Sequence, residues 1–334
     1  MLVPCLLFAL GLVLLIKGGD WFVDGAVDLA GRFRLPELLI GATVVSIGTT
    51  LPEVMVSSQA ALSGVSGISY GNAIGSVICN ASLIAALTVA IRPGEVEKKS
   101  LLFPVCAFFL AAGCYAAVAY TTGEFQRWHG FFFLGFFVVY LVVTLLRMKQ
   151  SASETPQAVM EDNPDAEGEE PHLSDGFMPV WKEFLLLVVG AAAIAFGANL
   201  LVDNGTLIAS ALGVPDSVIG LTMVALGTSL PELITAITSL IKGHSSLSLG
   251  NVIGANIFNI VLVSGAAISI SPFSIPMEKT LMGINASLLV DLPVMFLVMF
   301  LLCVPTLVRG KLSRWQGILL LCIYVAFTAF QFVS

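Results

Sequence analysis

Two hexapeptides carry the residues best suited to chemistry: GTTLPE at 48–53 and GTSLPE at 227–232. Each ends in a carboxylate, Glu53 or Glu232, and carries a pair of hydroxyls, Thr49 and Thr50 or Thr228 and Ser229. Each also sets a proline, Pro52 or Pro231, four residues after a glycine, Gly48 or Gly227. Proline has no N–H and its ring crowds the carbonyl at i−4, so a helix holding it should break and leave carbonyls without partners. Carboxylates, hydroxyls and freed carbonyls are hard oxygen donors, suited to sodium and calcium rather than to metals that prefer thiolate or imidazole. His129, His172 and His244 fall in predicted loops, and the six cysteines show no C-x-x-C spacing and read as buried thiols.

A second polar set follows each hexapeptide. Asn72, Ser76 and Asn80 recur at i, i+4 and i+8 and share one helical face; Asn251, Ala255 and Asn259 occupy the equivalent face. Asn80 and Asn259 are candidates to ligate a cation or to orient the glutamates, because polar side chains at membrane depth need partners. Gly71, Gly75, Gly250 and Gly254 beside them permit close helix approach. GNVIGAN is no phosphate loop, since it lies inside an apolar span and follows no strand.

Depth gives these residues their weight. The chain of 334 residues is 57% hydrophobic and 11% charged, with a mean hydropathy of +0.97, which marks a polytopic membrane protein. Ten apolar spans can be drawn near 3–26, 36–62, 67–90, 101–121, 128–147, 179–209, 215–241, 246–270, 281–306 and 315–333. The first lacks a basic n-region and a small-residue cleavage site and is read as a mature helix. Threonine and proline often do no more than kink such helices. A carboxylate in both copies asks for more, because charge at the bilayer centre is costly and marks function. Lys17, Asp20, Asp24 and Asp28 rise along the first span at near-helical spacing toward its cytoplasmic end, where charges can snorkel or meet water; a structural or interfacial role is expected, with a gate or cytoplasmic ion-entry role as the alternative.

Orientation follows from Lys and Arg. About 12 fall in connections after odd-numbered spans and about 2 in the others, which puts both termini outside. Eight acidic residues and no Lys or Arg lie between Gln150 and Met178, leaving the rest of the chain near neutral. Residues 150–178 therefore read as a solvated, disordered cytoplasmic linker between 1–149 and 179–334, with a calcium-attracting or regulatory tract as the alternative.

The two hexapeptides belong to an internal repeat at an offset of 179 residues, with about 20 identities over about 48 ungapped positions from Pro36 and Pro215. Each half holds five spans, an odd number, so the second half enters the membrane from the opposite side. The fold class expected is all-α: ten transmembrane helices in two inverted five-helix repeats, with broken helices meeting at the midplane.

GTTLPE with GNAIGSVICN, paired with GTSLPE and GNVIGANIFN, resembles the two alpha repeats of the calcium/cation antiporter superfamily, particularly bacterial and archaeal sodium/calcium exchangers. The resemblance implies a core bundle of the four repeat-bearing helices, against which long first and sixth helices slide. It implies that Glu53 and Glu232 are central ligands, assisted by Thr49, Thr50, Thr228, Ser229, Ser76, Asn80 and Asn259, with backbone carbonyls near Ser46 and Ala225 also facing ions. Asparagine at both 80 and 259 favours a potassium-independent exchanger by the same comparison. Ala255 stands where Ser76 stands in the other repeat and where relatives carry serine, which puts one sodium site and the stoichiometry in question.

The expected function is sodium/calcium antiport by alternating access, with calcium efflux driven by sodium influx across a bacterial or archaeal cytoplasmic membrane. Calcium and sodium are cargo; no cofactor, enzymatic activity or nucleic-acid partner is expected. Two carboxylates can neutralise one calcium or two sodium ions, and a third sodium would leave net charge, worth about 2.3 kcal/mol per 100 mV. The alternative is a proton/calcium, or other divalent cation, antiporter using the same two glutamates. A channel is disfavoured by the inverted repeat, and a hydrolase by the lack of a fitting motif in the spans.

Overall fold

The computed structural model describes residues 2–33, 35–64, 66–161, 179–212, 227–276, 280–281 and 283–333. The apolar runs become helices α1 (Leu2–Arg32), α2 (Glu37–Leu62), α3 (Gly67–Ile91), α4 (Lys98–Thr121), α5 (Arg127–Glu161) and α6 (Val180–Ala211). They continue as α7 (Leu230–Ile241), α8 (Ser245–Ile270), α9 (Ser287–Arg309) and α10 (Arg314–Val333). Among the described residues, eight segments are long and apolar enough to cross a membrane. Residues 215–226, the first half of the seventh predicted span, lie outside the described residues.

Two helices run past their predicted ends. α1 reaches Arg32 and α5 reaches Glu161, into the stretch expected to be linker. A helix already anchored by packing extends at one hydrogen bond per residue added, so polar sequence can follow apolar sequence into it. His129, expected in a loop, sits in the first turn of α5, where its Nδ1 accepts the Gln126 N–H at 2.9 Å.

Pro52 does not break α2. It lies inside a helix that runs unbroken over Ser46–Leu62, because proline deletes one ladder bond and the flanking bonds hold. The irregularity in α2 sits upstream, as a π-helical turn over Gly41–Val45. In the second copy Pro231 occupies the first turn of α7, after a turn at Thr228 and Ser229; the missing N–H costs nothing at a helix start.

Packing separates a pair from a core. α1 and α6 lie against each other along their length, with glycines at the crossing. A Cβ on Gly18 would come within 2.9 Å of Gly190 O, and one on Gly190 within 2.9 Å of Gly18 O, so only glycine allows this approach. At the end of the pair, Arg32 Nε and Nη2 donate to the buried Glu183 carboxylate at 2.7–3.0 Å. On α1, Asp20 and Asp24 meet Lys242 at the end of α7, with Lys242 Nζ 2.7 Å from Asp24 Oδ1.

α2, α3, α7 and α8 form the core. Gly250 of α8 is seated on the backbone of Leu38, and Gly254 on Ala42 and the Ser46 hydroxyl. Tyr140 of α5 donates to Ala42 O at 3.2 Å, and its ring packs edge-on against Phe258 of α8. Two clasps at opposite ends of α4 link the halves. Strand β1 (Glu124–Phe125), between α4 and α5, pairs antiparallel with β2 (Phe273–Ser274), between α8 and α9. Glu95, between α3 and α4, bridges Lys311, between α9 and α10. A short hairpin, β3 (Thr280–Leu281) with β4 (Ile284–Asn285), precedes α9 and occupies the start of the ninth predicted span.

Candidate cation site

The π-helical turn that shapes α3 covers Asn80–Ile84, and its counterpart in α8 covers Asn259–Val263, at the same 179-residue offset. A π-turn widens the helix by one residue and recurs at functional sites. Here each begins at the asparagine the repeat had marked. Opposite them, Ser46–Leu62 and the start of α7 bring the two hexapeptides together.

Glu53 and Glu232 are both 0% exposed. Glu232 lies within electrostatic reach of Glu53. Thr49 and Thr50 of the first motif lie beside the Glu232 carboxylate of the second, so the set is assembled across the halves. Thr49, Thr50, Ser229, Ser76, Asn80 and Asn259 are likewise buried, and Thr228 is half-buried in the turn before α7.

Several polar atoms of this cluster have no hydrogen bond within 3.5 Å, whereas Thr49 Oγ1 reaches Asn251 Oδ1 at 3.2 Å. Both oxygens of Glu53 and of Glu232, both amide atoms of Asn80 and of Asn259, and the hydroxyls of Thr50 and Ser229 are buried without a hydrogen bond. Each such atom costs about 1–3 kcal/mol, and a carboxylate costs more if ionised. Two carboxylates ringed by neutral oxygens can replace the hydration shell of a hard cation, and that cation would compensate them in turn.

Other predicted residues play different parts. The Ser46 hydroxyl lies 2.7 Å from Gly41 O and 2.9 Å from Asn251 O, which commits it to the contact between α2 and α8. The Ser46 carbonyl accepts Thr49 Oγ1 at 3.5 Å. Ala225 lies outside the described residues. Ala255 is buried and offers a methyl where the first repeat offers the Ser76 hydroxyl.

Three residues had not been singled out as site members. Asn251 accepts Thr49 Oγ1 at 3.2 Å through its Oδ1. Ser57 accepts the Asn72 amide at 2.8 Å while the same amide reaches Glu53 O at 3.2 Å. Ser57 sits four residues after Glu53, a helical spacing that could have revealed it. Cys79 lies beside Ser229 and Tyr324, within electrostatic reach of both glutamates. Its counterpart in the repeat is Phe258, so the sequence held no signal for it.

The chain matches the family model described as sodium/calcium exchanger protein over residues 3–146 and 182–333, which takes in both hexapeptides and both asparagine turns. It belongs to the sodium/calcium exchanger family. Relatives bear this out over their full length. The sodium/calcium exchanger MaX1 of Methanosarcina acetivorans is 33% identical over 353 residues, covering 98% of this chain and 98% of the relative. The putative antiporter CaxA of Alkalimonas amylolytica is 34% identical over 339 residues, 100% of each chain. Among solved structures, the sodium-calcium exchanger NCX_Mj soaked with 2.5 mM Na+ and 10 mM Sr2+ superposes with a TM-score of 0.80 at 33% identity, covering 98% of both chains. The family is one of membrane ion transporters, not of enzymes, and the fold is the all-α fold of NCX_Mj.

Proposed function

We propose that this member of the family is a secondary antiporter that exchanges sodium for calcium through one shared site by alternating access. The observation that carries the reading is the pair of buried carboxylates, Glu53 and Glu232, supplied by repeat-related helices and set among buried oxygens of which those of Thr50, Ser229, Asn80 and Asn259 have no hydrogen bond. Two carboxylates balance one calcium ion, and the same oxygens balance sodium, so occupancy by one ion excludes the other. Thr49, Thr50, Thr228, Ser229, Ser76, Asn80 and Asn259 are the assisting ligands in this reading, with the Ser46 and Ala225 carbonyls. Structures of the relative NCX_Mj soaked with sodium and with calcium or strontium support the same cargo here.

Alternating access draws support from the repeat. The paired clasps connect the fourth loop to the eighth and the ninth to the third, a reciprocal pattern that ten helices in two inverted five-helix halves would produce. With the basic connections inside, both termini lie outside and the exchanger works in the cytoplasmic membrane. Sodium entering down its gradient then drives calcium out.

Proteoliposomes test the reading. Sodium-loaded vesicles diluted into sodium-free buffer should accumulate radioactive calcium at fixed pH, and vesicles without a sodium gradient should not. Uptake driven by a pH gradient alone would replace sodium with protons as the coupling ion.

A further inference from the structure

Hydroxyls buried in apolar helices normally donate to their own backbone three or four residues back, and in this fold Thr43, Ser82, Thr88, Thr144 and Thr306 do so at 2.5–2.8 Å. Thr235 and Ser239 of α7 and Ser248 of α8 do not. All three are buried, and none of their hydroxyls has a partner.

Their placement is ordered. Glu232, Thr235 and Ser239 fall at i, i+3 and i+7 on one face of α7. That face is turned away from α1, which instead meets Ile234 and Thr238. On the neighbouring helix α8, Ser248, Asn251, Ala255 and Asn259 fall at i, i+3, i+7 and i+11, the face that carries the site asparagine. Asn251 Nδ2 is also buried and unpartnered. At the far end of the two helices, Ser248 lines a small, mostly apolar cavity with Val89, Leu240, Leu249, Leu312 and Arg92, whose guanidinium donates to Leu240 O at 3.2 Å.

The first repeat places its hydroxyls differently, with buried Ser57 bonded to the Asn72 amide at 2.8 Å. The counterparts of Thr235 and Ser239 are Val56 and Ala60, and that of Ser248 is Ser69, whose hydroxyl is satisfied by Ser57 O at 2.8 Å.

We propose that Thr235, Ser239 and Ser248 line a closed polar passage between Glu232 and the face bearing the α7–α8 loop, and that cations leaving or entering the site on that side pass them one after another. The inference rests on the exchanger reading and adds to it the residues of the second route. A hydroxyl that has surrendered its intrahelical bond is free to lend its oxygen to a dehydrated cation in transit.

Two measurements test it on the full chain. In sealed membrane vesicles of known orientation, Ser239→Cys and Ser248→Cys proteins are exposed to a membrane-impermeant cationic methanethiosulfonate during sodium/calcium turnover, with the unsubstituted chain as control for its own six cysteines. Both variants should be labelled from the side of the α7–α8 loop and should lose calcium uptake as labelling proceeds. Labelling from the other side only, or complete labelling with uptake unchanged, overturns the passage. A second variant, Thr235→Val, keeps shape and removes the oxygen. Equilibrium calcium binding by the detergent-solubilised protein should be unchanged while vesicle uptake falls about tenfold; a fall in binding to match the fall in uptake, or no fall in uptake, contradicts the inference. If the unsubstituted chain shows no sodium-dependent calcium uptake, it is the exchanger reading that fails, and sided labelling of the two cysteines then reports on the passage by itself.

Discussion

Thr49 Oγ1 donates to Asn251 Oδ1 at 3.2 Å, while Asn72, the repeat counterpart of Asn251, gives its amide to Ser57 and to Glu53 O. One repeat's asparagine therefore ties the two halves together, and the other's stays within its own half. Asn251 is fully buried and Asn72 is half-buried, so the two sides of the site are held unequally. Replacing Asn251 with leucine removes the acceptor for Thr49 and should destabilise the protein by about 1–3 kcal/mol. The loss would be read as a lower melting temperature in detergent, with a smaller shift for Asn72→Leu. An equal or larger shift for Asn72→Leu would contradict the asymmetry.

The carboxylates give the sharpest contrast between folding and transport. Glu53→Gln and Glu232→Gln each keep volume and remove a charge from a site that needs two. Calcium uptake should fall roughly a hundredfold or more in each. Membrane insertion and thermal stability should hold or improve, because a buried charge has been removed. A fully active Glu232→Gln protein would remove that residue from the site.

Glycine geometry separates the two repeats in the same way. A methyl at Gly254 has no space against Ala42 and Ser46, whereas among the described residues nothing lies within 4 Å of a Cβ at Gly75. Gly254→Ala should cost about 1–3 kcal/mol of stability through overpacking. Gly75→Ala should melt like the parent. Under alternating access the first repeat must at some point pack as the second does here, so Gly75→Leu should fold yet turn over slowly. Normal turnover of Gly75→Leu would argue that α3 never closes that contact.

Ala255 tests the ion count. Ala255→Ser restores the hydroxyl that Ser76 supplies in the other repeat, and should steepen the dependence of calcium uptake on sodium concentration. An unchanged sodium dependence would mean that position 255 takes no part in sodium binding.

Arg32 and Glu183 fasten α1 to α6 at one end, and the bidentate geometry is specific to a guanidinium. Arg32→Ala should lower the melting temperature by leaving Glu183 buried without this partner, and Arg32→Lys should recover part of the loss. If both variants melt like the parent, the glycine contacts alone hold the pair.

Much of this was legible in residues. Hydropathy locates the helices because a bilayer demands long apolar runs, and the 179-residue repeat by itself pairs Glu53 with Glu232 and Asn80 with Asn259. Three things were not legible. Pro52 was expected to break α2, yet one missing bond inside a packed helix is survivable, and the irregularity moved to Gly41–Val45, where no residue announces it. The π-turns at Asn80 and Asn259 are shifts of the backbone hydrogen bonds within largely apolar runs, where a change of side-chain phase leaves no mark in the sequence pattern. Cys79 reached the site through the placement of α10 and the α7 turn, a tertiary fact with no local pattern behind it.

The central claim is that sodium and calcium compete for the oxygens of Glu53 and Glu232. The most direct test is radioactive calcium uptake into sodium-loaded proteoliposomes at fixed pH, run side by side for the parent chain and Glu232→Gln. The account predicts uptake by the parent that requires the outward sodium gradient and is absent from the variant. Calcium uptake indifferent to the sodium gradient, or equal in the two proteins, would contradict it.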